Sequence, residues 1–205
     1  EMTRYDPREV DSWMRAAQPF NRPAPRPDPA RSALLVIDMQ RHFAGIAAPI
    51  VETVADVVES SRDLGVAVIF TQHGHADPEE DGGMLHEWWG ELIEEGTPEH
   101  ELLEVGAREG DAIVPKRRYD AFFDTDLQRL LDERGAEDVV VAGVMTNLCV
   151  ETSARAAFVR DYRVRVLADA TATASEGMHL ASLVNLAFGF AHVQRASDWL
   201  AALER

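Results

Sequence analysis

The sequence predicts an α/β fold in which a parallel six-stranded sheet lies between two layers of helices, a three-layer αβα arrangement. Short apolar runs rich in β-branched residues alternate with segments whose apolar residues recur at helical spacing. Strands are predicted at 32–38, 66–71, 112–115, 138–142, 163–167 and 192–193. This alternation requires right-handed crossovers, so the strands pair in parallel and the helices cover both faces of the sheet.

The predicted helices connect these strands. Ile50, Val54, Val57, Val58 and Leu64 form one helical stripe, and Gly65 follows as a C-terminal cap. Further helices are predicted at about 124–134, 149–160 and 176–190, with a final helix begun by Asp198.

The chain is long enough for one α/β domain of usual size and too short for two, at 205 residues. Residues 1–31 are expected to form an N-terminal arm, a short amphipathic helix followed by a proline-rich segment. That helix packs either on its own domain or on a neighbouring subunit. Residues 32–205 form the single domain, interrupted at about 72–110 by an acid-, glycine- and aromatic-rich insertion that we interpret as a lid.

The composition argues against several partners. The formal charge of −16, from 20 Lys and Arg against 36 Asp and Glu, opposes binding to nucleic acids and to anionic membrane surfaces. No apolar stretch approaches the length of a membrane-spanning helix. A single cysteine cannot form an intramolecular disulfide, so the expected location is the cytoplasm.

That single cysteine, Cys149, lies in Gly143-Val144-Met145-Thr146-Asn147-Leu148-Cys149-Val150, between a predicted strand and a predicted helix. The first turn of a helix has unpaired backbone N–H groups and the positive end of the helix dipole. We therefore expect a lowered thiol pKa and donors for an oxyanion. A lone cysteine on a helix is otherwise more often a small core residue.

Two further polar residues follow predicted strands. Asp38 ends the run Val36-Ile37-Asp38-Met39-Gln40, and Lys116 ends Asp111-Ala112-Ile113-Val114-Pro115-Lys116. The carboxyl ends of parallel strands meet at one crevice, so Asp38, Lys116 and Cys149 are expected to converge. The carboxylate can then act as a general base on the thiol, while the ammonium stabilises negative charge. Taken singly, Asp38 or Lys116 would more simply be a polar residue at a strand end that caps a helix or forms an ion pair.

At these residues the chain resembles the isochorismatase-like cysteine hydrolase superfamily, from about residue 30 to the C-terminus. The resemblance rests on the acid at 38, the lysine in 116–123, the 143–150 element and Ala168-Asp169-Ala170-Thr171-Ala172. It implies a Rossmann-like isochorismatase-like hydrolase fold and an Asp38-Lys116-Cys149 triad. It also implies a cis peptide between Val144 and Met145, with an oxyanion hole formed by the N–H groups of Met145 and Cys149.

The resemblance leaves more than one function open. Cysteine at the nucleophile position favours hydrolysis of a C–N bond in a small amide, ureide or lactam through a thioester. The alternative is isochorismatase-type hydrolysis of a vinyl ether, with Asp38 as general acid. A further alternative, of a different class, is a binding scaffold without catalysis. No cofactor is expected, and the family favours a homodimer or homotetramer.

The expected substrate-binding residues lie beside these strand ends or in the lid: Gln40, Phe43, His73, Trp88, Trp89, Tyr119 and Phe123. Gln40 either contacts substrate or completes a turn, and Trp88 and Trp89 serve equally well as core or subunit-contact residues. No Asp-x-His motif is present, so no metal is expected, although the spacing of His73 and His75 suits a metal ligand pair. Asp169 is expected to end the fifth strand and to support the site.

Overall fold

The computed structural model describes residues 4–204 and contains one six-stranded sheet in the order β3-β2-β1-β4-β5-β6. Every adjacent pair of strands is parallel. The strands are β1 (Ser32–Ile37), β2 (Ala67–His73), β3 (Ala112–Lys116), β4 (Asp138–Val144), β5 (Arg163–Ala172) and β6 (His192–Gln194). The predicted α/β fold with helices on both faces of a parallel sheet is confirmed.

Nine α-helices are present among residues 4–204. They are α1 (Pro7–Ala17), α2 (Ala44–Ala47), α3 (Val51–Asp63), α4 (Pro78–Asp81), α5 (Met84–Trp89), α6 (Leu127–Glu133), α7 (Glu151–Phe158), α8 (Glu176–Gly189) and α9 (Ala196–Glu204). Helices α1, α6, α7 and α8 pack on one face of the sheet, and α2, α3 and α9 pack on the other.

The central strands β1 and β4 are buried along their whole length, as continuous apolar runs require when helices cover both faces. In β1, Leu35 and Ile37 face the α8 layer, whereas Leu34 and Val36 face the α3 layer. From β1, the chain adds β2 and β3 on one side of the sheet and then β4, β5 and β6 on the other side. The carboxyl ends of β1 and β4 therefore lie at the point where the strand order reverses.

Several predicted boundaries were wrong. Strand β5 extends to Ala172, five residues beyond the predicted 167, because its second half regains pairing with β4 after a register shift. Helix α6 begins at Leu127 and ends at Glu133, within the predicted 124–134. Helix α9 begins at Ala196, two residues before Asp198.

The N-terminal helix α1 packs against its own domain. Asp6 caps it by accepting a hydrogen bond from the Arg8 N–H, and Pro7 opens the first turn. Its apolar face, which includes Val10, Trp13 and Met14, is buried in the same core as α8. The sequence left open whether this helix packs on its own domain or on a neighbouring subunit. In the single chain it packs on its own domain.

The insertion at 72–110 contains α4, α5 and a 3₁₀ turn at Pro98–His100. Single β-bridges join His75 to Glu94 and Gln40 to Leu102. The segment 101–105, which has helix-like or strand-like signals in the sequence, forms only the bridge at Leu102. Among residues 4–204, no helix combines the length and apolarity needed to cross a bilayer.

Candidate active site

Asp38, Lys116 and Cys149 meet at the carboxyl ends of β1, β3 and the segment after β4. Lys116 Nζ lies 2.8 Å from Asp38 Oδ2 and donates a hydrogen bond of 3.2 Å to Cys149 Sγ. The side chains of Asp38 and Lys116 have no exposure, and Cys149 is 7% exposed. The structure therefore brings the three predicted groups into one buried cluster.

Asp38 is held by the neighbouring strand β2. It adopts φ 48°, a conformation that is uncommon for a residue other than glycine and that turns the chain sharply out of β1. Thr71 Oγ1 donates to Asp38 Oδ1 at 2.6 Å and accepts from the Asp38 N–H at 3.1 Å. Oδ2 is ion-paired with Lys116 but has no aligned hydrogen-bond donor, so it remains available to accept a proton.

Lys116 is surrounded by acceptors. Besides Asp38 and Cys149, Nζ donates to the Arg118 carbonyl at 2.8 Å and lies 3.3 Å from His73 Nδ1. Four groups thus share three N–H hydrogens, which fixes the ammonium at the centre of the cluster.

Cys149 lies in a π-helical turn (Thr146–Val150), called here the Cys149 turn, which leads directly into α7. The peptide bond between Val144 and Met145 is cis. Gly143, with φ 112°, lies so close to β1 that a Cβ there would be 2.1 Å from the Ile37 carbonyl oxygen. Only glycine permits this approach, which brings the Cys149 turn beside Asp38.

The three groups shift one another's pKa values. Burial alone would raise the pKa of Asp38, but the charge of Lys116 and the hydrogen bond from Thr71 hold it below its ordinary value. Burial alone would lower the pKa of Lys116, but Asp38 and Cys149 raise it. The resting pair is therefore carboxylate and ammonium.

Burial raises the pKa of the Cys149 thiol to about 12, because desolvation outweighs the opposing charge of Lys116, and the Asp38 carboxylate adds to the increase. The expectation of a lowered thiol pKa was wrong. The helix-terminus argument applies to a solvated thiol, whereas desolvation is the dominant effect on this buried thiol. The sulfur at rest is therefore a thiol, and a base is needed to convert it to a thiolate.

Gln40 and His73 lie beside the cluster. The Gln40 amide donates to the carbonyls of His73 and His100 and accepts from the His73 N–H, so its side chain ties β2 to the insertion. These hydrogen bonds favour the structural alternative for Gln40, in which it completes a turn, over contact with substrate. His73 is 8% exposed, and burial and the Lys116 charge lower its pKa to about 3, so the imidazole is neutral beside the ammonium.

The expected aromatic residues are less buried. Trp88 and Trp89 are 76% and 54% exposed, and Phe123 is 57% exposed. Trp89 Nε1 donates to Tyr119 Oη at 2.8 Å, which joins the insertion to the loop after Lys116. Phe43 is half-buried against the α3 layer of the core. In the single chain Trp88 and Trp89 are therefore not core residues.

Among the described residues, no three His, Cys, Asp or Glu side chains are grouped so as to hold a metal ion. His75 Nδ1 instead pairs with Asp81 Oδ1 at 2.9 Å. Asp169 lies within β5 rather than at its end, and its Oδ1 accepts from the Ala196 N–H at 2.7 Å, at the start of α9. It supports α9 and makes no hydrogen bond to the cluster, because β5 continues past it.

Sequence reasoning did not single out two residues beside the cluster. Thr71 holds Asp38, and its position as the last residue of the run Val66–Thr71 was the available signal. Thr146 is fully buried in the Cys149 turn and lies 2.9 Å from His179 Nδ1. No local pattern pairs Thr146 with His179, which is thirty-three residues away.

Comparison with known proteins agrees with this geometry. The isochorismatase domain model matches residues 32–198. Nicotinamidase 3 of Arabidopsis thaliana is 47% identical over 82% of this chain and 86% of its own length. A ureidoacrylate amidohydrolase of Caulobacter segnis is 32% identical over 87% of this chain and 88% of its own length.

Among solved structures, a cysteine hydrolase from Pseudomonas syringae matches with a TM-score of 0.84 and 27% identity, over 89% of this chain and 98% of that one. The sheet order, the buried Asp-Lys-Cys cluster and these matches lead to one conclusion: the chain belongs to the isochorismatase family.

Proposed function

We propose that the protein is a cysteine-dependent hydrolase that cleaves a C–N bond of a small amide, ureide or lactam through a thioester intermediate. The observation that carries this proposal is the position of the Lys116 ammonium, 2.8 Å from the Asp38 carboxylate and 3.2 Å from the Cys149 sulfur. A nucleophile, a base and a cation in contact are what acyl transfer to a thiol requires.

In the proposed mechanism Asp38 Oδ2 removes the Cys149 thiol proton as the sulfur attacks the substrate carbonyl carbon. An S–C bond forms, and the carbonyl oxygen becomes an oxyanion that accepts hydrogen bonds from the Met145 and Cys149 N–H groups. Because the thiol pKa is about 12, proton transfer and attack must be closely coupled. Lys116 stabilises the negative charge as it moves from carboxylate to sulfur.

Collapse of the tetrahedral adduct breaks the C–N bond, and protonated Asp38 transfers its proton to the leaving amine. Water, deprotonated by the same carboxylate, then attacks the thioester and releases a carboxylic or carbamic acid and the free thiol. One carboxylate thus serves as base and acid in turn.

The substrate class follows from the relatives. The names of the two relatives described above refer to hydrolysis of nicotinamide and of ureidoacrylate. We propose a primary amide or a ureide as substrate, with Tyr119 and Trp89 at the entrance and His73 beside the reacting carbonyl. Phe43, Trp88 and Phe123 are further substrate-binding residues in this proposal, whereas Gln40 holds β2 against the insertion.

The vinyl ether alternative is not favoured, because it needs no sulfur nucleophile, and both relatives are amidohydrolases by name. A non-catalytic scaffold would not need a carboxylate and an ammonium buried in contact with a thiol, which is costly unless function requires it.

Replacing Cys149 tests the proposal. Cys149→Ala is expected to lower ammonia release from nicotinamide, ureidoacrylate and a panel of related primary amides by at least about 1,000-fold, because no thioester can form. The thermal midpoint should change little, since the side chains have similar volume. Turnover by Cys149→Ala close to that of the wild type would contradict covalent catalysis and favour the ether reaction.

We further propose a homodimer or homotetramer located in the cytoplasm. Trp88, Trp89 and Phe123 are large, exposed apolar side chains, and exposed apolar surface favours subunit contacts. The single free cysteine suits a reducing compartment. A monomeric mass by light scattering at micromolar concentration would contradict the oligomer.

A further inference from the structure

His179 is a buried histidine that the proposed mechanism does not use. It is 2% exposed, lies on α8, and its two ring nitrogens face different elements. Nε2 lies 3.2 Å from the Ala168 carbonyl oxygen of β5, and Nδ1 lies 2.9 Å from Thr146 Oγ1 in the Cys149 turn. The imidazole therefore bridges the sheet and the turn that carries the nucleophile.

These contacts determine the direction of both hydrogen bonds. A carbonyl oxygen can only accept, so Nε2 must carry the hydrogen. Burial lowers the pKa of His179 to about 4, so the ring is neutral at pH 7 and Nδ1 must be the acceptor. The Thr146 hydroxyl then has one orientation, with its hydrogen donated to Nδ1.

The N-terminal helix encloses this imidazole. The Trp13 ring packs edge-on against His179 with 4.4 Å between centroids, and Tyr5 lies 6.0 Å away. Trp13 is itself 2% exposed and donates from Nε1 to Glu176 Oε1 at 3.2 Å. Helix α1 lies outside residues 32–198, the part matched by the family domain, yet it excludes water from a group that contacts the Cys149 turn.

We propose that His179, enclosed by Trp13, is a positioning residue for the oxyanion hole. Thr146 directly follows Met145, so anchoring the Thr146 side chain restrains the Met145 backbone and, through it, the Val144–Met145 peptide that presents the proposed donor, the Met145 N–H. The proposal rests on the proposed acyl-transfer function. It goes further, because it assigns the orientation of the Met145 N–H to the contacts among Thr146, His179 and Trp13. Of these residues, Trp13 lies outside the part of the chain matched by the family domain.

Two reactions of the same thiol separate this role from a structural one. In acylation by p-nitrophenyl acetate an S–C bond forms, the C–O bond to p-nitrophenolate breaks, and the thiol proton goes to Asp38. That reaction passes through an oxyanion. Alkylation by iodoacetamide forms an S–CH₂ bond and breaks the C–I bond with release of iodide, while the thiol proton again goes to Asp38, and no oxyanion forms. A group that orients the oxyanion hole should affect the first rate and spare the second.

The test variants retain or remove the hydroxyl. Thr146→Val and His179→Phe are expected to lower the burst rate of p-nitrophenolate release about 10-fold or more and the iodoacetamide rate less than about 2-fold, as a displaced oxyanion donor predicts. Thr146→Ser should restore acylation to within about 3-fold of the wild type. The Thr146→Val/His179→Phe double variant should be no slower than the slower single variant, because both act through one contact.

Ser61→Ala is the matched control, since Ser61 is a fully buried hydroxyl that accepts from Trp199 Nε1 in the other core layer. It should lower the thermal midpoint without changing either rate. Equal burst rates in wild type and Thr146→Val, or equal losses in both reactions, would overturn the positioning role while leaving acyl transfer intact.

A readout independent of activity is the nitrogen NMR spectrum of the histidine rings, in which His179 should show the Nε2–H tautomer at pH 7. An Nδ1–H tautomer would overturn the proposal. Absence of a burst in the wild type, together with full activity of Cys149→Ala on amides, would instead overturn the proposed function.

Discussion

At the scale of single residues, the site depends on a charged pair that is removed from water. Asp38 and Lys116 have no exposure, and each keeps its charged form only because the other is present. Burying either charge alone is expensive, whereas the pair is tolerated. The contact places a cation beside the Cys149 sulfur and leaves Asp38 Oδ2 without an aligned donor.

Removing one charge of this pair should therefore destabilise the fold more than removing both. Lys116→Met leaves a buried, unpaired carboxylate and is expected to lower the free energy of unfolding by about 3–5 kcal/mol. Asp38→Asn/Lys116→Met should recover part of that loss, and both variants are expected to be inactive. Urea unfolding at pH 7 measures the difference.

The control for this cycle is Arg129→Met, because the Arg129 side chain is 55% exposed in its pairs with Asp126 and Glu133. Its expected cost is below about 1 kcal/mol. Equal costs for Lys116→Met and Arg129→Met would show that the Asp38–Lys116 pair is effectively solvated.

At the scale of secondary-structure elements, the decisive feature is the end of β4. The pairing of β4 with β5 shifts register between Val141 and Gly143, and the backbone of Gly143 contacts that of Ile37 in β1. This close approach brings the Cys149 turn beside Asp38. A side chain at position 143 would separate β1 from β4 at the point where Asp38 and the Cys149 turn lie side by side.

Gly143→Ala tests this packing. The new Cβ would clash with the Ile37 carbonyl oxygen, and φ 112° is unfavourable for alanine, so we expect a loss on the order of 3 kcal/mol in the free energy of unfolding. Gly177→Ala, on α8 with open space around its Cβ, should instead stabilise by about 0.5–1 kcal/mol. Equal effects of the two substitutions would contradict the argument.

At the scale of the whole molecule, the fold maintains two neutral histidines inside a chain of net charge −16. Burial lowers the pKa of His73 to about 3 and of His179 to about 4, against an ordinary value of 6.5. At pH values between these lowered pKa values and 6.5, the two histidines are protonated in the unfolded chain but neutral in the folded chain. Stability must therefore rise with pH in this range and fall as the solution is acidified from about pH 6.5 toward 4.

His179→Gln should reduce this pH dependence. Between pH 6.5 and 4.5 the wild type is expected to lose roughly 2–3 kcal/mol more free energy of unfolding than the variant, the contribution of one such histidine. Denaturant titrations at several pH values measure the slope, with His42→Gln, at an exposed position, as the control. Parallel curves for the wild type and His179→Gln would show that His179 has the same pKa in the folded and unfolded states, and would contradict its neutral form in the fold.

How much of this was predictable depends on the range of the interactions. The six strands follow from β-branched runs, and Asp38, Lys116 and Cys149 follow from one rule about strand ends. The prediction of a lowered pKa for the Cys149 thiol was wrong, because the burial that raises this pKa arises only when the core is assembled. Asp169 was placed at a strand end because apolarity weakens after Ala168, yet pairing with β4 continues to Ala172.

The sequence alone therefore determined the order of the elements, the parallel sheet and the identity of the three polar groups that meet at the strand ends, because periodicity and residue type are local properties of the chain. Only the tertiary structure decided the protonation of the thiol, the anchoring of Asp38 by Thr71 and the contact of Trp13 with His179. Each of these depends on desolvation and on distances between residues far apart in sequence, which arise only when the layers pack together.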